Sequence, residues 1–187
     1  MNFDNDKKCF LRKIDKSKKG SVDKAIKPLV NKINSLKNYY TTSSCAGRVL
    51  LLIRRGKKKH ETEWLFAKHG KVSFNELKKA LRRLPKQDVW FKEEASIFHI
   101  SCRTIDDAQK LVNLTRNIGF RRTGIQSIKR KIVVEIVSTE NIETIAAKSG
   151  KIIVDDDYLK VLAEEANKKM KRNKEKIGFF YKGLSCL

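Results

Sequence analysis

The chain has 187 residues, and 43 Lys and Arg against 21 Asp and Glu give it a formal charge of +22. Hydrophobic residues make up 40% of it, too many for a disordered basic tail, and a chain of this length buries enough core to need neither disulfide nor metal. The longest purely apolar run, residues 49–53, falls far short of the ~20 residues that span a bilayer. The polar stretch 1–10 argues against a secretory signal. No membrane partner and a cytoplasmic location are therefore expected.

In chain order, Val22, Ile26, Leu29, Val30, Ile33 and Leu36 recur at helical spacing over residues 21–38. Ser21 is available as N-cap, and Pro28 can start or kink such a helix but not sit inside it. YYTTSSCAGR at 39–48 reads as a hydroxyl-rich turn before a buried strand at 49–53, followed by a basic turn at 54–59 and a strand at 63–68. Ser73 opens a helix over 74–84, Glu76 completes a capping box and Pro85 closes it. The grammar repeats: a strand at 96–103, Thr104 as cap, Asp107 at the box position, a helix over 105–118 and Gly119 as its stop. A histidine, His69 or His99, lies near the end of the strand in each copy, a weak duplication of pattern. Strands at 124–128 and 131–137 follow, then a short strand at 151–154 and a long terminal helix capped by one of Asp155, Asp156 and Asp157. Leu159, Leu162, Ala166, Met170, Ile177 and Phe180 form its apolar stripe. With no Gly/Pro/Ser linker, residues 1–187 read as a single α+β domain with a mixed sheet.

The charge is segregated. Residues 24–60 and 118–134 contain no acid, and the second stretch carries Arg121, Arg122, Lys129, Arg130 and Lys131, whereas Asp155 to Asp157, Glu164 and Glu165 gather acid near the C-terminus. Segregation of this kind favours a polyanion, because phosphate contacts release condensed counterions. A membrane surface is the poorer match, since no basic segment carries a large aromatic face. Cys9, Cys45, Cys102 and Cys186 are widely spaced, and the three histidines are not clustered. The paired spacing of a zinc site is missing, and reduced thiols are expected.

Neither GxGxxG after a strand nor GxxxxGK[ST] occurs, so a Rossmann-type cofactor site and a P-loop lack support. The 39–48 segment either presents hydroxyls and backbone N–H groups to a ligand, with Gly47 allowing close approach and Arg48 gripping an anion, or is a capped turn feeding a strand. DKSKKGSVD at 15–23 is either a solvated loop or a phosphate-touching one with Asp15 near the chemistry. Lone histidines such as His69 and His99 more often serve structure, and Trp64 and Trp90 read as core.

These strings together resemble the methyltransferase family of the wybutosine and wyosine-derivative pathway of tRNA, the third enzyme of that pathway, in its archaeal form. The resemblance rests on DKSKKGSVD, on YTTSSCAGRVL at 40–50, WLFAKH at 64–69, FHISCR at 98–103 with DAQ at 107–109, GFRRTGI at 119–125 and the stretch 167–181. TTSSCAGR is its most specific part. Residues 55–59 depart from the family, being shorter and more basic than in longer members. The resemblance implies a non-Rossmann methyltransferase that moves a methyl group from S-adenosylmethionine to N-4 of a 7-aminocarboxypropyl-demethylwyosine-type base beside the anticodon of phenylalanine tRNA. It implies Ser43, Ser44, Cys45, Gly47, Arg48 and His69 at the cofactor, and Lys18, Lys19, Arg103, Arg121 and Gly124 at the tRNA; the acid-free charge of the basic turn adds Lys57 and Lys58 to the tRNA side. Asp15 or His99 is then the candidate proton acceptor. A covalent role for Cys45 is disfavoured, because a ring nitrogen is already nucleophilic. A non-catalytic RNA-binding protein and a ribonuclease using His69 and His99 with a lysine are the rival classes, and a purely electrostatic binder has little use for the hydroxyl-rich 41–48 segment.

Overall fold

The computed structural model describes residues 2–12, 22–54 and 62–187. Its helices are α1 (Phe3–Arg12), α2 (Lys27–Ser35), α3 (Phe74–Leu81), α4 (Ile105–Ile118) and α5 (Asp156–Gly183). Its strands are β1 (Tyr39–Cys45), β2 (Arg48–Arg54), β3 (Thr62–Lys68), β4 (Val89–Glu94), β5 (Ile97–Cys102), β6 (Arg122–Ser127), β7 (Ile132–Val137), β8 (Ile142–Lys148) and β9 (Lys151–Ile152). The fold is α+β with a long C-terminal helix. Two sheets replace the single mixed sheet expected from the sequence, ordered β1-β5-β7-β6 and β3-β2-β4-β8-β9. Every strand pair in them is antiparallel. Among the described residues no helix is long and apolar enough to cross a membrane.

The chain forms two compact units, each with one sheet. The first holds Met1–Ala46, Ser96–Thr139 and Lys174–Leu187, and the second holds Gly47–Ala95 and Glu140–Asn173. In the first, Phe98, Ile100, Val134 and Ile136 alternate along β5 and β7 to face a core shared with α2, α4 and the end of α5. Phe98, Phe120 and Phe180 meet edge to face at its centre, with ring centroids 6.0–6.3 Å apart. Each such pair adds about 0.5–1.5 kcal/mol beyond area burial. In the second, Val49, Leu51 and Ile53 of β2, with Val89 and Phe91 of β4, pack against Leu77 and Leu81 of α3 and Leu159, Leu162 and Ala166 of α5. The stripe read from the terminal helix thus serves two cores, Ile177 and Phe180 belonging to the first, while Met170 packs half-buried against the second.

Both capping boxes form as read. Ser73 accepts from the Glu76 N–H, Thr104 accepts from the Asp107 N–H, and each carboxylate reaches back to its cap. Gly119 closes α4 at φ +108°, a left-handed conformation that glycine adopts without strain. Asp155 caps α5 by accepting the Tyr158 N–H at 2.7 Å. Other boundaries move. A 3-10 turn, Lys24–Ile26, precedes α2, which starts at Lys27 with Pro28 in its first turn, where the missing N–H costs nothing. The proposed cap Ser21 lies outside the described residues. α3 ends at Leu81, not at residue 84. Residues 39–45 are a strand, not a turn: Tyr39, Tyr40, Thr41 and Thr42 suit an extended backbone, and β5 supplies the ladder partners. Trp64 and Trp90 are half-buried beneath arginines rather than in the core, with Arg48 4.4 Å above Trp64 and Arg54 4.7 Å above Trp90.

One buried acid stands out in the second unit. Glu93 on β4 is fully buried, its Oε1 accepts from the Asn173 side chain at 3.1 Å, and its Oε2 makes no hydrogen bond. Burial pushes its carboxyl up to about 8; Lys169 opposes the rise, while Glu140 and Glu94 add repulsion. A carboxyl raised above its unfolded value keeps its proton in the native state, so stability falls as pH climbs from about 4.5 toward 8 and levels off above. Glu93→Gln removes that slope. Denaturant titrations at pH 6 and pH 9 should show the variant gaining about 1–3 kcal/mol on the wild type at the higher pH; parallel losses in both proteins would show that Glu93 is not the titrating group.

Candidate active site

Antiparallel pairing in the first unit aligns one residue from each strand of its sheet. Ser43 on β1 faces His99 on β5, His99 faces Glu135 on β7, and Glu135 faces Gly124 on β6. His99 and Glu135 are the residues between Phe98 and Ile100 and between Val134 and Ile136, so alternation that sends those four into the core turns this row to the opposite face. Ser43 joins it through a bulge. The register shifts between Thr41 and Ser43, which puts Ser43 on the same face as Tyr40, whereas uninterrupted alternation would turn it to the core side. The extra residue, Thr42, donates its hydroxyl to the His99 carbonyl at 3.2 Å.

The row is connected side chain to side chain. Ser43 Oγ lies 2.8 Å from His99 Nδ1, and His99 Nε2 lies 2.8 Å from Glu135 Oε2. The Gln126 side chain donates a longer bond of 3.5 Å to the same Glu135 oxygen. Ser43 is exposed, while His99 and Glu135 retain 21% and 36% of their side-chain exposure, so the row is open to solvent at Ser43 and at Glu135 and most covered at His99. At the other end, a Cβ built on Gly124 meets nothing within 4 Å. Beside the row, α1 covers the sheet: Phe3 and Phe10 lie 5.3 and 5.5 Å from the Tyr40 ring, and Lys131 sits 4.4 Å above Phe10.

Ser44 points to the core side of β1, where its Oγ is buried and makes no hydrogen bond. Cys45 follows Ser43 on the open face, in line with Ile97, Val137 and Arg122. The end of β1 is tied down by Asp23, nearly buried, whose carboxylate accepts the Ala46 N–H at 3.0 Å. Arg103 lies at the far end of β5, where it forks onto Asp4, bonds Asn38 at 3.0 Å and stacks on Phe3 at 4.5 Å. It pins α1 and is not part of the row. Arg121 is exposed just before β6.

Gly47, Arg48 and His69 belong to the second unit. Gly47 has φ +89°, and its carbonyl oxygen is 3.1 Å from His69 Nδ1. Arg48 Nε donates to Glu94 at 2.7 Å while its guanidinium stacks on Trp64. From there a charge ladder crosses the sheet: Glu94 and Glu143 flank Lys92 at 3.7 and 3.5 Å, and Arg54 closes on Glu143. Asp15, Lys18, Lys19, Lys57 and Lys58 lie outside the described residues. The residues that sequence reading missed are Glu135, Glu94 and Asp23. Glu135 did leave a signal, a lone acid in the apolar alternation IVVEIV of β7.

The comparisons with known proteins agree with one another. The profile of the family described as methyltransferase TYW3 matches residues 5–186. A Pyrococcus horikoshii protein named tRNA(Phe) 7-((3-amino-3-carboxypropyl)-4-demethylwyosine(37)-N(4))-methyltransferase 1 is 39% identical over 179 residues, covering 94% of this chain and 91% of that one. A Xenopus laevis relative named tRNA wybutosine-synthesizing protein 3 homolog is 38% identical over 99% of this chain and 74% of its own. A solved Pyrococcus horikoshii structure superposes with a TM-score of 0.91 at 38% identity, over 98% of this chain and 96% of that one. Matched along nearly its whole length in sequence and in fold, the chain belongs to the methyltransferase TYW3 family.

Proposed function

We propose that this protein methylates N-4 of 7-(3-amino-3-carboxypropyl)-4-demethylwyosine at position 37 of tRNA(Phe), in the cytoplasm, with S-adenosylmethionine as donor. The observation that carries this reading is the extent of the match: relatives bearing that activity in their names align over 94% of the chain, and the family profile runs through both units. On this reading residues 1–187 work as one functional domain despite the division into two units. A non-catalytic RNA-binding protein is not favoured.

The donor supplies an electrophilic methyl group on a sulfonium. Methyl transfer needs nucleophile, carbon and leaving group in line, so the protein's contribution is largely orientation. Two features of the TTSSCAGR segment fit a bound cofactor. A buried hydroxyl without a partner costs about 1–3 kcal/mol, and Ser44 Oγ is such a group in the structure; a ligand atom would relieve it. Gly47, in the left-handed region, leaves the backbone there without a side chain. We assign Ser43, Ser44, Cys45, Gly47, Arg48 and His69 to the cofactor, and Arg121, Gly124 and Arg103, with Lys18, Lys19, Lys57 and Lys58, to the tRNA. The proton on the target nitrogen must leave, and His99 is the described residue suited to take it, Asp15 being the other candidate.

Calorimetric titration with S-adenosylmethionine should show saturable binding that weakens about tenfold or more in Ser44→Ala and Arg48→Ala. Ser44→Ala should lose this affinity without losing stability, since it deletes an unsatisfied group. A folded wild type that binds no donor, with or without tRNA, overturns the reading.

For the tRNA, log K should fall linearly with log[salt]. Reversing Arg121 and Arg122, both exposed, or Lys57 and Lys58 should lessen that slope by about one for each phosphate contact removed. Binding indifferent to salt would dismiss the electrostatic part of the argument.

A further inference from the structure

The hydrogen bonds of the Ser43–His99–Glu135 row have a direction that the chemistry of its ends determines. An ionised carboxylate only accepts, so the 2.8 Å contact between His99 Nε2 and Glu135 Oε2 requires the hydrogen on Nε2. In the neutral ring Nδ1 then carries the lone pair, and the 2.8 Å contact with Ser43 is a bond that the hydroxyl donates. Gln126, also a donor to Glu135 Oε2, keeps the carboxylate in its accepting role. The hydroxyl at the exposed end is therefore polarised by two groups behind it.

We propose that Glu135 is a positioning residue that holds His99 in the Nε2–H tautomer, and that Ser43, backed by His99, relays the proton lost by the methylated nitrogen. The proposal rests on the methyltransferase reading above and goes beyond it in naming the path. The new bond joins the ring nitrogen to the methyl carbon, and the carbon–sulfur bond breaks with its electron pair left on sulfur. The nitrogen's proton passes to Ser43 Oγ as Ser43's own proton passes to His99 Nδ1. The imidazolium so formed lies against the Glu135 carboxylate, which stabilises it. No further acid, base or oxidant is needed. The geometry also gives Ser43 its place as first acceptor: it is exposed, whereas the His99 ring is mostly covered and its Nδ1 already faces the hydroxyl.

The test has one arm that does not depend on turnover. With 15N-labelled histidine, NMR of the full chain at a pH where His99 is neutral should show the Nε2–H tautomer in the wild type and in Ser43→Ala, and a mixture of tautomers in Glu135→Gln, which retains size and polarity. In single-turnover methylation at saturating donor, Glu135→Gln and Ser43→Ala should each lose about 10²-fold in rate, with the tRNA dissociation constant of both, and the donor dissociation constant of Glu135→Gln, within about twofold of wild type. Ser43→Thr, which keeps a hydroxyl, should recover most of the loss. An Nδ1–H tautomer in the wild type overturns the role of Glu135, and Ser43→Ala methylating at the wild-type rate overturns the relay. Absence of methylation by a wild type that binds donor and substrate tRNA overturns the functional reading and the substrate end of the relay with it, while the tautomer still decides for or against Glu135.

Discussion

Side-chain alternation along β5 and β7 is the constraint from which both the core and the site of the first unit follow. Phe98 and Ile100 cannot face α4 unless His99 faces away, and Val134 and Ile136 impose the same on Glu135. A one-residue slip in either strand would exchange apolar and ionisable residues between the two faces. The hydrophobic burial that stabilises the sheet thereby also sets the 2.8 Å register between imidazole and carboxylate. The geometry of the row therefore requires no separate scaffold: the strand ladder that excludes water on one side presents His99 and Glu135 on the other.

The bulge at Thr42 departs from this regularity. Strict alternation would place Ser43 with the core residues, and the extra residue returns it to the open face beside His99. This accounts for what the sequence could and could not reveal. Both capping boxes, α4 to the residue and the strands β2, β3 and β7 to within a residue were legible because their signals are local. Segment 39–45 read as a turn because small hydroxyl residues favour turns when nothing else is known, and its strand character depends on a partner more than fifty residues away. The second sheet is hidden for a similar reason: which strand pairs with which is a non-local property, and β4 and β8 take their places in it through partners distant in sequence.

Unusual local strings mark candidate residues without fixing where they stand in the fold. Ser43, His99 and Gly124 belong to three separate motifs and stand on one row across three strands, with Glu135 between the last two. Arg103 belongs to an equally well-matched string and yet turns to Asp4, Asn38 and Phe3. A motif match ranks residues by identity, and the backbone decides direction: Arg103 is four positions beyond His99, past the end of β5, where strand alternation no longer governs where the side chain goes. Lys131 shows the same for the charge pattern. It lies in an acid-free stretch, but sits over the Phe10 ring and 3.4 Å from Asp6, so it holds α1 against the sheet, whereas Arg121, Arg122, Lys129 and Arg130 remain exposed.

The two units treat ionisable groups in opposite ways. On the second sheet, Arg48, Glu94, Lys92, Glu143 and Arg54 alternate in sign, so each charge is neutralised by a neighbour, and Trp64 and Trp90 underlie the two arginines. Such a ladder orients side chains while adding little net stability, since partly exposed ion pairs are each worth about 0–1 kcal/mol. On the first sheet the row contains one anion and one titratable ring and ends in a hydroxyl, leaving a direction along which a proton can move. The ladder fixes the orientation of Arg48; the row sets an imidazole, backed by a carboxylate, behind the Ser43 hydroxyl. On the methyltransferase reading proposed above, these are the two properties that displacement at a ring nitrogen draws on, orientation to align the reacting atoms and a sink for the departing proton.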